Sequence, residues 1–375
     1  MHKALAFGLA IILIPSVVSG AALAESSWTN LSPQSSPSPR AGHAMAYDSR
    51  SDRIIMFGGT ASNPVFTDVN ETWSFDFNTN QWTNLNPQTS PSPRDGLAMA
   101  YDSKADRMIV FGGERGSLLD DTWAYDLNTN SWTSLNPTIS PSPRAGHSMA
   151  YDSQADRIIL FGGAIQGGFV GDTWAYDFST NNWANLTRPG GPVSRELHAM
   201  VYDSLSDRTV LFGGYASDVQ WTNQTWAYAF SSNTWANMTP AASPPPRVSH
   251  AMAYDVRSDR TILFGGAIGV LRADNETWSY DLGLNVWTKL HPTTSPPARD
   301  GHAMAYDQTA DRILMFGGRV AGSSDPGGTW SYPSARSPSP GIPWLPLLLA
   351  TILTGAAIMY VVWRRRKRRS DPTRG

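Results

Sequence analysis

No cysteine occurs anywhere in the 375 residues. That excludes a disulfide framework, a cysteine-ligated zinc site and a thiol nucleophile. It does not fix the redox compartment, because a chain of this length buries a core without covalent staples. Charge is sparse as well, at 16% of residues. Lysine nearly vanishes between the ends, where only Lys104 and Lys289 occur. Residues 25–363 hold 21 basic and 30 acidic side chains, so the nearly neutral whole-chain charge of −2 conceals an acidic body and a basic tail. An acidic body argues against nucleic acid, whose binding rests on neutralising phosphates. Also missing are a nucleophile elbow, a HExxH pair and a phosphate loop.

What is present begins at the two ends. Met1-His2-Lys3 is a short basic start, Ala4 to Val18 is apolar, and Ala22-Leu23-Ala24 fits a small-x-small cleavage site. Residues 1–24 therefore read as a secretory signal peptide. At the other end a Ser/Pro linker, 334–341, leads into the apolar segment 342–363 and the basic tail 364–375. A helix of roughly 20 apolar residues crosses a bilayer core, and a basic cluster stays in the cytoplasm. The expectation is a single-pass protein of the cell membrane with its body, 25–333, extracellular and its C-terminus cytoplasmic. The same linker, apolar helix and arginine cluster also describe a sorting signal that is cut and replaced by another anchor. Both readings leave the body outside and tethered.

Trp, Gly and Pro are abundant, with 15, 32 and 27 copies. That mix suits many short strands joined by turns. The strands repeat. Phe-Gly-Gly begins at residues 57, 111, 161, 212, 264 and 316. Around it the first copy runs "PSPRAGHAMAYDSRSDRIIMFGG", a variable stretch, then "NETWSFDFNTNQWTNLNPQ". "HAMAYD" alternates with a period of two, as a half-buried strand does. "RIIMFGG" is a continuous apolar run, as expected where both faces are buried. "TWSFD" and "QWTNL" flank an Asn/Thr turn. Each unit predicts a four-stranded antiparallel meander, and such sheets bury both faces only by stacking around a ring.

A double glycine, then an aromatic, then six residues, then a tryptophan resembles the kelch repeat. It reads Gly58-Gly59, Phe75, Trp82 in the first copy. It recurs as Gly112-Gly113, Tyr125, Trp132; Gly162-Gly163, Tyr176, Trp183; Gly213-Gly214, Tyr228, Trp235; and Gly265-Gly266, Tyr280, Trp287. A second tryptophan opens each third strand, at Trp73, Trp123, Trp174, Trp226, Trp278 and Trp330. The resemblance covers about 28–333. It implies an all-β fold, a six-bladed kelch-type β-propeller with four antiparallel strands per blade, similar to the central domain of galactose oxidase. That enzyme's copper and Tyr–Cys chemistry does not carry over without cysteine, and no cofactor or metal is expected. The sixth copy, from Gly317-Gly318 to Trp330, lacks its closing strand. "WTNL" at Trp28 supplies it, so the N-terminal strand is expected to complete the last blade.

Features present in every repeat most simply serve the scaffold. The arginines before each first strand (Arg40, Arg94, Arg144, Arg195, Arg247, Arg299) are expected to pair with aspartates between blades and to cap loop carbonyls. His43, His147, His198, His250 and His302 share one repeat position, which Leu97 takes in the second copy, and read as packing residues. Aspartate pairs such as Asp48/Asp52 and Asp102/Asp106 read as turn caps. Function is expected where the repeats differ, in the stretches after each FGG. The candidates there are Phe66, Arg115, Phe169, Tyr215, Trp221, Arg272 and Arg319, with Tyr215 and Trp221 as an aromatic loop tip. Sequons at Asn30, Asn70, Asn185, Asn223, Asn237 and Asn275 are compatible with surface glycosylation. The leading reading is a surface-anchored module that recognises a protein or glycan outside the cell without catalysis. The alternative is a carbohydrate-active enzyme, resembling sialic acid mutarotases, that uses Arg94/Asp95, Arg195/Glu196 or Arg299/Asp300 at the channel mouth. Glu114 and Glu196 would then break the repeat equivalence as a catalytic site should.

Overall fold

The computed structural model describes residues 26–62, 66–218, 220–269, 272–320 and 328–334. The expected leader, the apolar segment 342–363 and the basic tail lie outside the described residues. All regular elements among the described residues are strands.

In the first repeat Ala44–Asp48, Arg53–Phe57, Thr72–Asp76 and Gln81–Asn84 pair in that order, antiparallel throughout. The order recurs from Ala98 to Ser134, Ser148 to Asn185, Ala199 to Asn237 and Ala251 to Leu290. The sixth sheet joins Ala303–Asp307, Arg312–Phe316 and Thr329–Pro333 to a strand from the other end of the chain, Thr29–Asn30. Thr29 lies opposite Ser331, and Asn30 opposite Trp330.

The apolar second strands explain the stacking. Ile54, Ile55, Met56 and Phe57 are wholly buried. Their alternation sends Ile54 and Met56 against Phe316 of the sixth sheet, and Ile55 and Phe57 against Met99 and Val110 of the second. Every adjacent pair of sheets shares one such core, and the sixth shares one with the first. Burying a side chain of this size contributes roughly 1.5–3 kcal/mol.

The fourth-strand tryptophans fix the order of the sheets. Each indole N–H donates to a third-strand threonine hydroxyl of the preceding sheet. The bonds are Trp132 to Thr72, Trp183 to Thr122, Trp235 to Thr173, Trp287 to Thr225 and Trp82 to Thr329, at 2.9–3.1 Å. Trp28 makes the missing one, to Thr277 at 2.9 Å. Its ring lies 4.9 Å from that of Phe264 and 5.0 Å from that of Tyr332, and 1% of the residue is exposed. The N-terminal strand thus takes the place that the sixth repeat leaves open, and it removes the exposed sheet edge there.

Two local details differ from the expectation. The repeat arginines pair within their own repeat, not between sheets: Arg40 with Glu71, Arg94 with Asp121, Arg144 with Asp172 and Arg247 with Glu276. The partner lies two residues before the third-strand tryptophan, whose indole donates to the same carboxylate. The short Glu/Asp-Thr-Trp spacing therefore serves both. In the fourth repeat Gln224 replaces the acid and accepts from Arg195 at 2.6 Å. The stretches after FGG are also not simple loops. Thr60–Ala61 pairs with Arg40–Ala41 and with Thr67–Asp68, while Tyr215–Ala216 pairs with Arg195–Glu196 and with Gln220–Trp221. The FGG glycines turn the chain out of the main sheet into these ribbons. Gly59 sits at φ +92°, and a Cβ there would meet the His43 Cβ at 2.8 Å and the Ala41 carbonyl at 2.9 Å.

Candidate functional site

The antiparallel strands place all FGG turns, and the residues leading into each first strand, at one end of the sheets. Just before each first strand one residue adopts a left-handed conformation: Gly42, Gly96, Gly146, Leu197, Ser249 and Gly301. Their backbones form a closed circle. Gly42 N–H donates to Gly301, Gly301 to Ser249, Ser249 to Leu197, Leu197 to Gly146, Gly146 to Gly96 and Gly96 to Gly42, at 2.7–2.9 Å. Above this circle opens a cavity of about 710 Å³. Further along the same strands a second space of about 470 Å³ is lined by one near-uniform set, six methionines and six tyrosines. There each tyrosine hydroxyl donates to an aspartate of its own repeat, as Tyr47 does to Asp52 at 2.9 Å. The aspartate that opens each turn, such as Asp48, accepts backbone N–H groups of the turn.

The first cavity is lined by residues that differ from repeat to repeat, among them Thr60, Phe66, Asp95, Glu114, Glu196 and Arg319. Burial, then the charge of Asp68, raises the Asp95 carboxyl above its ordinary range. Burial, then Asp95 and Asp68, raises Glu114, and burial, then Glu114, raises Glu196. Thr60 Oγ1 lies 2.9 Å from both Asp68 Oδ1 and Asp95 Oδ2, so its one proton serves one of them at a time. Arg319 is tied to Asp300 at 2.7 Å. His43, His147, His198, His250 and His302 also line the cavity, 5–6% exposed; their ring nitrogens make no full hydrogen bond and approach only the backbone of the neighbouring FGG phenylalanine. Burial, then the neighbouring arginine, pushes His43, His147 and His302 down to about 3.

The seven sequence candidates separate into three groups. Phe66, 75% exposed, and Arg319 line the cavity. Phe169 and Tyr215 meet edge-to-face at 5.6 Å, and Tyr215 lies opposite both Trp221 and Glu196 in a ribbon. Trp221 is half-buried there, so it is not a free loop tip; backbone pairing with Tyr215 draws it in. Arg115 and Arg272 are exposed in tight turns away from the cavity lining. Sequence reasoning undervalued Asp95 and missed Asp68 and Thr60. Nothing in the repeat pattern marks residues that only the ribbons bring together. The mutarotase-like arrangement loses its cations. Arg94 is held by Ser92, Gly112 and Asp121, Arg195 by Val193, Gly213 and Gln224, and Arg299 by Pro297 and Gly317, all essentially buried. The sequon asparagines Asn30, Asn70, Asn185, Asn237 and Asn275 are exposed, and Asn223 is half-buried.

The family model of the KLHDC2/KLHL20/DRC7 kelch-repeats domain matches residues 18–203 and 204–333. Similar proteins include multiple epidermal growth factor-like domains protein 8 of Mus musculus, 29% identical over 163 residues, 40% of this chain and 6% of that protein. Mei4-dependent protein 6 of Schizosaccharomyces pombe is 28% identical over 135 residues, 33% of this chain and 19% of that one. Dynein regulatory complex subunit 7 of Chlamydomonas reinhardtii is 30% identical over 118 residues, 30% of this chain and 10% of that one. The chain thus spans less than a fifth of the length of each of these relatives. With the repeated four-stranded sheets, this places the chain in the kelch-repeat β-propeller family.

Proposed function

We propose that this chain is a cell-surface recognition module. In this reading residues 1–24 are removed as a leader and 342–363 cross the membrane. Residues 25–333 form a six-bladed propeller outside, and 364–375 remain in the cytoplasm. Kelch repeats build protein-interaction modules, and this one is taken to bind a protein or glycan ligand without catalysis. The observation that carries the reading is the contrast between the two ends of the channel. One is lined by a repeated set of methionines and tyrosines, and the other carries, beside its repeated histidines, side chains that change from repeat to repeat. A scaffold explains the first; only a ligand gives the second a use. The basic cluster after the apolar segment supports the orientation.

The test is crosslinking of the full-length protein on intact cells, beside a Trp221→Ala/Arg272→Ala double variant. Recognition through the varied face expects a specific partner that the variant fails to retain. Retention indifferent to both side chains speaks against these residues as the contact. A second reading, a sugar-converting enzyme, keeps Glu114 and Glu196, their carboxyl pKa raised by burial and neighbouring negative charge, in a cavity. It expects Glu196→Gln to abolish turnover of a sugar while the fold is kept.

A further inference from the structure

The residues immediately before the six circle positions are Ala41, Asp95, Ala145, Glu196, Val248 and Asp300. Acidic and apolar side chains alternate strictly around the axis, so a six-fold scaffold presents a three-fold set of carboxylates. The glycines of the circle make room for them. The Asp95 carboxylate lies 3.4 Å from where a Gly42 Cβ would stand, and that of Glu196 3.3 Å from a Gly146 Cβ. The Arg319 guanidinium offsets Asp300. The charge of Arg319 also reaches Asp95, but neither Asp95 nor Glu196, nor Glu114, which is paired to Asp95 across the ribbon, forms an ion pair among the described residues. The one buried arginine in the lining, Arg40, is matched by Glu71. The mouth therefore carries unbalanced negative charge in a partly desolvated cavity, where a complementary charge is worth more than in open water.

Beneath the carboxylates sit the five buried histidines, whose ring nitrogens make no full hydrogen bond and approach only the backbone of the phenylalanine in the neighbouring FGG. The second nitrogen of each ring has no partner in the protein, and a buried polar atom of that kind calls for one from elsewhere. Held neutral, these rings oppose no cation, and each offers one nitrogen as an acceptor. Among the described residues no three acidic, histidine or cysteine side chains converge closely enough to hold a metal ion. The carboxylates are spread around a space of about 710 Å³. That geometry suits an extended cation with several donors better than a point charge. Phe66, largely exposed at the rim, adds an aromatic face of the kind that attracts guanidinium.

We propose that the mouth cavity binds a cationic side chain of a partner protein, an arginine or lysine lowered between Asp95, Glu114 and Glu196 above the closed amide circle. This rests on the recognition reading and names its ligand chemistry. The test uses the full-length protein and a fluorescent penta-arginine peptide, followed by anisotropy, with penta-glutamate and spermine alongside. The peptide is expected to bind, penta-glutamate not. The Asp95→Asn/Glu196→Gln variant is expected to bind at least tenfold more weakly, with a melting temperature no lower than wild type because it removes mutual repulsion. Equal affinity in that variant, or no binding by wild type, overturns the proposal. Spermine binding as tightly as the peptide overturns the protein source. The partner-retention experiment runs in parallel. A partner lost in Trp221→Ala/Arg272→Ala, with penta-arginine unbound, leaves recognition standing and removes only the cationic ligand.

Discussion

At the scale of single residues the histidines are the most consequential. Each is neutral in the folded protein, because burial and an adjacent arginine hold its pKa far below the ordinary value of about 6.5. The unfolded chain therefore binds protons that the folded chain refuses, and stability falls as pH drops below about 6.5. Each histidine contributes a slope approaching about 1.4 kcal/mol per pH unit, which continues toward about 3 for His43, His147 and His302. The arginine-paired carboxylates Glu71, Asp121 and Asp172, held low, lose their contribution only below the ordinary carboxylate range of about 4. The raised carboxylates Asp95, Glu114 and Glu196 act oppositely, gaining a proton in the fold first as pH falls. Between pH 6.5 and 5 the histidines dominate. Thermal melts are expected to fall steeply over that window. His147→Leu, which copies Leu97 of the second repeat, is expected to flatten the fall by about a fifth and to melt normally at pH 7.5. A pH-independent melting temperature there, or an unchanged slope in the variant, contradicts the assignment.

At the scale of elements the seam decides. Trp28 is at least as deeply buried as its five counterparts, of which Trp235 is only half-buried, and makes the same indole-to-threonine bond, yet its strand holds only Thr29 and Asn30 in register. Removing a buried aromatic side chain typically costs ~3–5 kcal/mol. Trp28→Ala is expected to destabilise at least as much as Trp132→Ala, since it also frees the edge of the last sheet. A melt of Trp28→Ala equal to wild type contradicts closure by this strand. This seam was legible in the sequence because "WTNL" repeats a phrase with five other copies. The strands, the buried second strand and the tryptophan positions were legible for the same reason: a feature stated six times averages out local noise. The arginine partners were visible as Glu/Asp-Thr-Trp but went unread, because the pairing joins a residue shortly before the first strand to the residue before the third, 27–31 residues further along the chain. The backbone circle and the pairing of Asp300 with Arg319 leave no motif. They arise when the FGG turns fold a second ribbon back onto the residues before the first strand.

At the scale of the whole molecule the two ends of the sheets differ in what they carry. Sheet stacking, tryptophan bonds and arginine–carboxylate pairs repeat around the ring and specify the scaffold. Charge and aromatic surface gather, unrepeated, at the end where the FGG turns lie. A photo-crosslinking amino acid distinguishes the ends directly on the full-length protein. Placed at Phe66 it reports on the cavity rim. Placed at Leu205, 65% exposed in the turn between Ala199–Asp203 and Arg208–Phe212, it reports on the opposite end. The recognition reading expects a discrete adduct from position 66 and none from 205. An adduct from 205 alone would contradict it and move the binding surface to the uniform face.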